Sequence, residues 1–254
     1  MKGRITKDGF EQSQLEFVDQ HAKGKIQIHR DFIAHCFRWQ YIVKHLAKSK
    51  KYEDVHLLDV GCGYDTPLYL VLASNRRAPK MYTGVDIGKI REPKYHSSAP
   101  RNFLSHTKAT EIKTDDYDII TSFEMLEHVP VDYVEECLQH WYNLSPPHCE
   151  LIVSTPVLDE RVGMAKNHIN EMSREQLMSL YAKTGWKVEK NYGTFASQKD
   201  YKKHLSESEL ELFEKLSEYH HVDVLSNFFA PLYPQYSRNN LWVCNKGEAD
   251  GNGD

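Results

Sequence analysis

The stretch Leu57-Leu58-Asp59-Val60-Gly61-Cys62-Gly63 constrains this chain more than any other. An apolar run closes on an acid, and two glycines follow with one residue between them. A strand ending this way leaves its sheet through a tight turn, and glycines let a bound group approach the backbone closely. The next apolar run, 81–87, contains Tyr82-Thr83-Gly84-Val85-Asp86. A carboxylate at that strand end can accept hydrogen bonds from both hydroxyls of an adenosine ribose. A lone Gly-x-Gly is a weak signal. Joined to a second-strand acid and an alternation of strands and helices, it points to a nucleotide-type ligand lying across two strand ends.

The alternation runs through most of the chain. Phe32, Ile33, Cys36, Phe37, Tyr41, Ile42, Val43 and Leu46 recur at helical spacing and predict a helix over about 29–49. Apolar runs predict strands at 56–60, 81–87, 102–105, 117–123 and 150–154, with helices between, as at 67–75 and 131–143. Such an order suits a parallel sheet wrapped on both faces, whose buried strands read as continuous apolar runs. Ser173-Arg174-Glu175-Gln176 has the form of a capping box and opens a helix to about 184, with Gly185 as its C-cap. Strands are expected at 186–192 and 241–245. The residues between them are too many for a hairpin loop and form an insertion, with a helix at 207–220 and an aromatic, proline-bearing stretch at 228–234.

A length of 254 residues suits one α/β domain with a large core and a modest insertion. The formal charge of −4 argues against a protein that holds nucleic acid by bulk positive charge, though not against a local basic patch. There is no apolar run long enough to span a membrane, and the first twenty residues are polar. Cys36, Cys62, Cys137, Cys149 and Cys244 are odd in number and form no CxxC pair, which suits free thiols. A cytoplasmic protein with no membrane partner is the expectation.

Glu-Met-Leu-Glu-His follows the fourth apolar run. If 124–128 forms a helical turn, Glu124 faces both Glu127 and His128. Two carboxylates and an imidazole at the ligand-binding edge of a sheet make a candidate divalent-metal site, and His168, just before the capped helix, is a fourth candidate ligand. Either imidazole alone can serve as a general base, or can be a hydrogen-bonded structural residue. His128, His168 and Glu124 are the catalytic candidates.

In LLDVGCG (57–63), YTGVD (82–86), YDIITSFEMLEH (117–128) and ELIVSTP (150–156), the chain resembles the class I S-adenosylmethionine (SAM)-dependent methyltransferases over about residues 55–192. The resemblance implies an α/β, Rossmann-like, doubly wound sheet of seven strands whose last two are an antiparallel pair. An N-terminal helical extension and an insertion between the last two strands complete it. It implies a SAM site made of Asp59, Gly61, Cys62, Gly63, Asp86, Ile87, Ser122 and Phe123. Asp59 and the glycines lie on the methionine side, Asp86 on the ribose, and Ser122 and Phe123 flank the cofactor. Two features depart from the family: Asp65 stands where a third glycine is frequent, and 103–109 offers no evident acid for the adenine amine. More narrowly, E-x-x-E-H with a later His before a capped helix is similar to the small-RNA 3′-terminal 2′-O-methyltransferases and the ubiquinone-pathway O-methyltransferases. That similarity implies a divalent metal (Mg, Mn or Zn) on Glu124, Glu127, His128 and His168, orienting and activating an acceptor hydroxyl.

The expected division is a helical extension or lid (1–54), a SAM-binding core (55–192), an insertion forming part of the acceptor pocket (193–237), a last core strand (238–246) and a disordered tail (247–254). His29, Arg30, Arg38 and Trp39 of the leading helix are placed to face the site. So are Tyr192, Phe195, Phe228, Phe229, Tyr233, Tyr236 and Arg238, although packing the insertion onto the core is the preferred role for these aromatics. Lys199, Lys202, Lys203 and His204 read as a solvated basic face, with a phosphate contact as the alternative. The expected activity is O-methylation of a small molecule. The alternatives are a nucleic-acid or nucleotide methyltransferase of the 2′-O type and a non-catalytic SAM-binding partner subunit.

Overall fold

Strand β1 (His56–Val60) runs parallel to β2 (Met81–Asp86) on one side and to β4 (Ile119–Phe123) on the other. The computed structural model describes residues 30–48, 54–75, 78–93, 100–113 and 116–246, and, in the helix that opens at Arg30, side chains from Phe32 onward. The expectations about His29, the Arg30 side chain and the 247–254 tail lie outside the described residues. Beyond β2 lies the edge strand β3 (Arg101–Ser105), and beyond β4 lies β5 (Glu150–Pro156), both parallel. Strand β7 (Asn239–Lys246) inserts antiparallel between β5 and β6 (Trp186–Phe195), giving the order β3-β2-β1-β4-β5-β7-β6. This is the seven-stranded, doubly wound sheet with an antiparallel last pair. Chain order reverses between β1 and β4, so a crevice opens there at the carboxyl ends of the strands.

Both faces of the sheet are buried, and the alternation of side chains within each strand divides the core in two. Leu57, Ile119, Ile152, Leu241 and Val243 pack on α1 (Arg30–Lys48) and α2 (Pro67–Ser74) through Ile42, Leu46, Leu68 and Leu72. Their neighbours Leu58, Ile120, Leu151, Val153 and Trp242 pack on α3 (Val131–Leu144) and α4 (Arg174–Lys183) through Val134, Leu138, Trp141, Leu177 and Tyr181. The capping box at α4 is complete: the Gln176 amide donates to Ser173 Oγ (3.2 Å), and the Ser173 amide donates to Gln176 Oε1 (2.8 Å). Thr184 is the C-cap, and Gly185 follows it at φ +88°.

Strand ends differ from the sequence expectation where pairing outruns the apolar pattern. Strand β5 continues to Pro156 and β6 to Phe195 because β7 begins at Asn239 and pairs with both, with irregularities at Val188/Lys190 and Gly193/Phe195. The insertion holds three helices: α5 (Gln198–Tyr201), α6 (Glu207–Ser217) and α7 (Val222–Phe229). The helix expected to reach 220 ends at Ser217, and much of the aromatic stretch is helical. Tyr201, Phe213, Leu225 and Phe229 form a small core of the insertion's own, with Tyr233 and Tyr236 against it, while Phe228 is exposed. Among the described residues, no helix is long and apolar enough to cross a membrane.

A Cβ added at Gly185 would lie 2.6 Å from Cε2 of Tyr142, whose ring packs edge-on against Trp186. The left-handed backbone alone costs a non-glycine residue about 1–2 kcal/mol. Gly185→Ala is therefore expected to lower stability by at least that amount, read as a lower urea midpoint at unchanged m-value.

Candidate functional site

The bend after β1 is pinned to β2 by backbone. The Gly61 and Cys62 amides both donate to the Val85 carbonyl, at 2.8 and 3.2 Å. Gly61 sits at φ +73°, and a Cβ there would lie 2.8 Å from Cγ of Met125, so only glycine fits beneath that side chain. Gly63, at φ +75°, faces open space, with nothing within 4 Å of the position a Cβ would take. Its amide donates to Asp86 Oδ2 (2.9 Å), and the Gly88 amide donates to Asp86 Oδ1 (2.7 Å). The Asp86 carboxylate is thus held at the end of β2 by two main-chain donors, with lone pairs left for further donors. Beside it, Ile87 leaves an apolar side chain 73% exposed at the rim of the crevice.

Asp59 lies deeper. Tyr82 donates to its Oδ2 (2.5 Å) and Thr121 to its Oδ1 (2.9 Å), tying β2 and β4 to β1. Only 3% of Asp59 is exposed, so in this chain it braces the strands beneath the glycine bend. Burial pushes its carboxyl up to about 6; the Tyr82 and Thr121 hydrogen bonds pull it back, and the Asp86 charge adds to the rise. Cys62 is buried against the same bend. Ser122 is wholly buried in β4, its Oγ without a hydrogen-bond partner among the described residues, and Phe123 packs half-buried on the α1 face.

The segment after β4 is not the helical turn its spacing suggests. Glu124 takes a left-handed conformation (φ 55°), and a short 3₁₀ turn starts only at Leu126 (Leu126–His128). Glu124 is drawn instead to three elements: Ser154 of β5 donates to its Oε1 (2.9 Å), Asn239 of β7 donates to its Oε2 (2.8 Å), and Arg38 of α1 pairs with it at 3.3 Å. Glu127, His128 and His168 come together, each offering a ligand atom within 4.8 Å of the others, with Glu124 outside this group. Glu127 is 1% exposed. Burial, with the Glu124 charge adding, pushes its carboxyl up against the opposing pull of a backbone hydrogen bond, of Arg38 and of the Thr155 hydroxyl, which donates at 3.3 Å. A bound cation would offset that cost.

Both imidazoles are oriented by the ring nitrogen turned away from the cluster. His128 Nδ1 lies 3.0 Å from the Asn167 carbonyl, and His168 Nδ1 lies 2.5 Å from Glu171 Oε1. A carbonyl and a carboxylate only accept, so each Nδ1 carries the hydrogen, and in the neutral ring Nε2 is the atom left to ligate. The rings meet edge to face at 5.1 Å. Two imidazole nitrogens and a buried carboxylate converging on one point fit a divalent metal. Sequence spacing missed Thr155, Asn167, Asn170, Glu171 and Asn239. The dense polar run Asn167-His168-Ile169-Asn170-Glu171 was the available signal for three of them.

A family described as a methyltransferase domain matches residues 33–191, from within α1 into β6. The chain belongs to that family. The resemblance to class I SAM-dependent methyltransferases is thereby borne out. No curated protein sequence matches this methyltransferase. Among solved structures it is similar to the magnesium protoporphyrin IX methyltransferase of Synechocystis with bound S-adenosylhomocysteine, at 12% identity and a TM-score of 0.57 over 96% of each chain. A Burkholderia thailandensis 1,6-didemethyltoxoflavin N1-methyltransferase is 14% identical with a TM-score of 0.56, over 92% of this chain and 86% of that one. A SAM-dependent methyltransferase from Archaeoglobus fulgidus is 16% identical with a TM-score of 0.54, over 86% and 95%. At such identities these structures bear on the fold.

The raised Asp59 carboxyl has a stability consequence. The unfolded chain ionises near pH 4 and the folded one near 6, so between these values the folded state binds more protons and stability falls as pH rises. Asp59→Asn removes that loss. Urea unfolding across pH 4–6.5 is expected to move the stability difference steadily in the variant's favour, whereas a pH-independent difference would contradict the assignment.

Proposed function

We propose that this methyltransferase transfers the methyl group of SAM to a hydroxyl of a small-molecule acceptor, assisted by a divalent metal on Glu127, His128 and His168. The observation that carries the proposal is the convergence of two oriented Nε2 atoms and a buried carboxylate beside the glycine bend. Met125, which closes over Gly61, belongs to the segment that carries Glu127 and His128.

On the cofactor side, Asp86 holds the ribose hydroxyls, while Gly61, Cys62 and Gly63 offer backbone close to the ligand. Ile87 covers the adenine, and Ser122 and Phe123 flank the site. Asp59 acts through the strands it braces. SAM, when bound, supplies an electrophilic methyl group. On the acceptor side, Glu127, His128 and His168 would hold a divalent metal, which would supply Lewis-acid activation of the acceptor hydroxyl. Two imidazoles with one carboxylate suit Zn²⁺ or Mn²⁺ better than Mg²⁺, which prefers oxygen ligands. Glu124 joins the site from outside the ligand group, where it holds Arg38 of the N-terminal extension and Asn239 of the last strand against the crevice. That link supports the extension (1–54) as a lid, and the insertion (193–237), tied to the start of β7 through Arg238 and Asp200, would form part of the acceptor pocket. A small-molecule acceptor accords with the net charge of −4, and the acceptors named for two of the similar structures are small molecules.

Two measurements test this. Asp86→Ala is expected to weaken SAM binding more than tenfold in calorimetry, in line with roughly 1–3 kcal/mol for a lost charged hydrogen bond; unchanged affinity would displace the ribose site. Zn²⁺ and Mn²⁺ titrated into the wild type are expected to bind one site that the Glu127→Ala/His168→Ala double variant lacks. Equal, weak binding by both proteins would remove the metal from the proposal.

A further inference from the structure

The segment 167–171 lies as a strap across the turn that carries Glu127 and His128. The amides of Ile169 and Asn170 both donate to the Glu127 carbonyl, at 2.8 and 3.2 Å. The Asn170 side-chain amide donates to the carbonyls of Leu126 (2.9 Å) and Val129. The Asn167 carbonyl takes the Nδ1 hydrogen of His128. At the far end, buried Met172 bridges to Val157, and its carbonyl accepts from the Leu158 amide at 3.0 Å, anchoring the strap to the continuation of β5. Glu171 stands between these anchors.

The Glu171 side chain is only 8% exposed, and a buried carboxylate is costly unless donors surround it. Its Oε1 accepts from His168 Nδ1 and from the Ala165 amide at 3.0 Å. Among the described residues, no lysine or arginine forms an ion pair with it. Imidazole is therefore its principal side-chain partner. We infer that Glu171 is a positioning residue: it locks His168 in the Nδ1–H tautomer and turns its Nε2 toward Glu127 and His128. The inference rests on the proposed role of His168 in the site, and it separates the two imidazoles. His128 leans on a neutral carbonyl and His168 on a carboxylate, which makes His168 the more firmly oriented ligand.

The experiment uses the full chain in two readouts. The first is ¹⁵N NMR of the histidine rings without metal, which reports the tautomer directly. Wild type is expected to show His168 as the Nδ1–H form. Glu171→Ala is expected to lose that form, and Glu171→Gln to keep it, because the amide oxygen still accepts. The second is calorimetric titration with Zn²⁺. Glu171→Ala is expected to raise Kd 10- to 100-fold and Glu171→Gln to raise it less, with SAM affinity unchanged in both. Wild-type Kd and an intact Nδ1–H signal in Glu171→Ala would overturn the inference. If that variant does not fold, a Glu171→Gln protein that has lost the Nδ1–H form would overturn it. If the wild type takes up no Zn²⁺, the metal part of the proposed function fails, and the tautomer result alone decides the role of Glu171.

Discussion

The Val85 carbonyl, accepting from both Gly61 and Cys62, is the contact from which the rest of the site is positioned. It holds the exit of β1 against β2, which brings the Gly63 amide onto Asp86. It also sets Gly61 where the Met125 side chain can close over a residue with no Cβ. Through Met125 the cofactor edge and the Glu127/His128 turn are packed against each other. A fold whose chain order reverses between β1 and β4 opens its crevice there, and this contact gives the crevice its floor.

Acidic side chains crowd that floor, and each is stabilised in its own way. Asp59 takes hydroxyl donors from neighbouring strands and lies under the site. Asp86 takes main-chain donors and stays half-open to solvent. Glu124 takes a guanidinium, an amide and a hydroxyl from three elements distant in sequence. Glu127 takes a backbone hydrogen bond and the Thr155 hydroxyl, with Arg38 nearby, and it is the carboxylate that meets the two imidazoles. A carboxyl pushed up by burial lies beside two imidazoles, where a cation would be favourable, the pattern expected where a site is arranged for function over stability.

The insertion shows how far local pattern reaches. Its aromatics read as a stretch that would either stack on an acceptor or pack. They pack: Tyr201 stacks on Phe229 and Tyr233, and Phe213 meets Phe229 edge-on. Arg238 belongs to neither reading, since it binds Asp200 through two hydrogen bonds and so ties the insertion to the start of β7. Helix α7 was hidden because its apolar residues lie in an aromatic cluster whose partners come from α5 and α6.

The alternation of strands and helices, the glycine bend, the acid at the end of the second strand and the capped helix were all legible in the sequence, because each depends on residues close together in the chain. Apolar runs need no distant partner to declare a buried strand, Gly61 and Gly63 need only their own φ, and Ser173 reaches Gln176 within one turn. What the tertiary structure alone decided was the direction of side chains whose partners lie far away. Spacing placed Glu124 with Glu127 and His128; a left-handed backbone turned it toward Arg38, Ser154 and Asn239, up to 115 residues distant. The resemblance implied Asp59 as a cofactor contact, and the structure adds two cross-strand hydroxyls that let it brace the neighbouring strands. His168 was visible in the sequence, but the direction of its free nitrogen depended on Glu171 and on a strap held by carbonyls some forty residues earlier. A hydrogen bond of about 3 Å between such distant residues exists only once the sheet has brought them together.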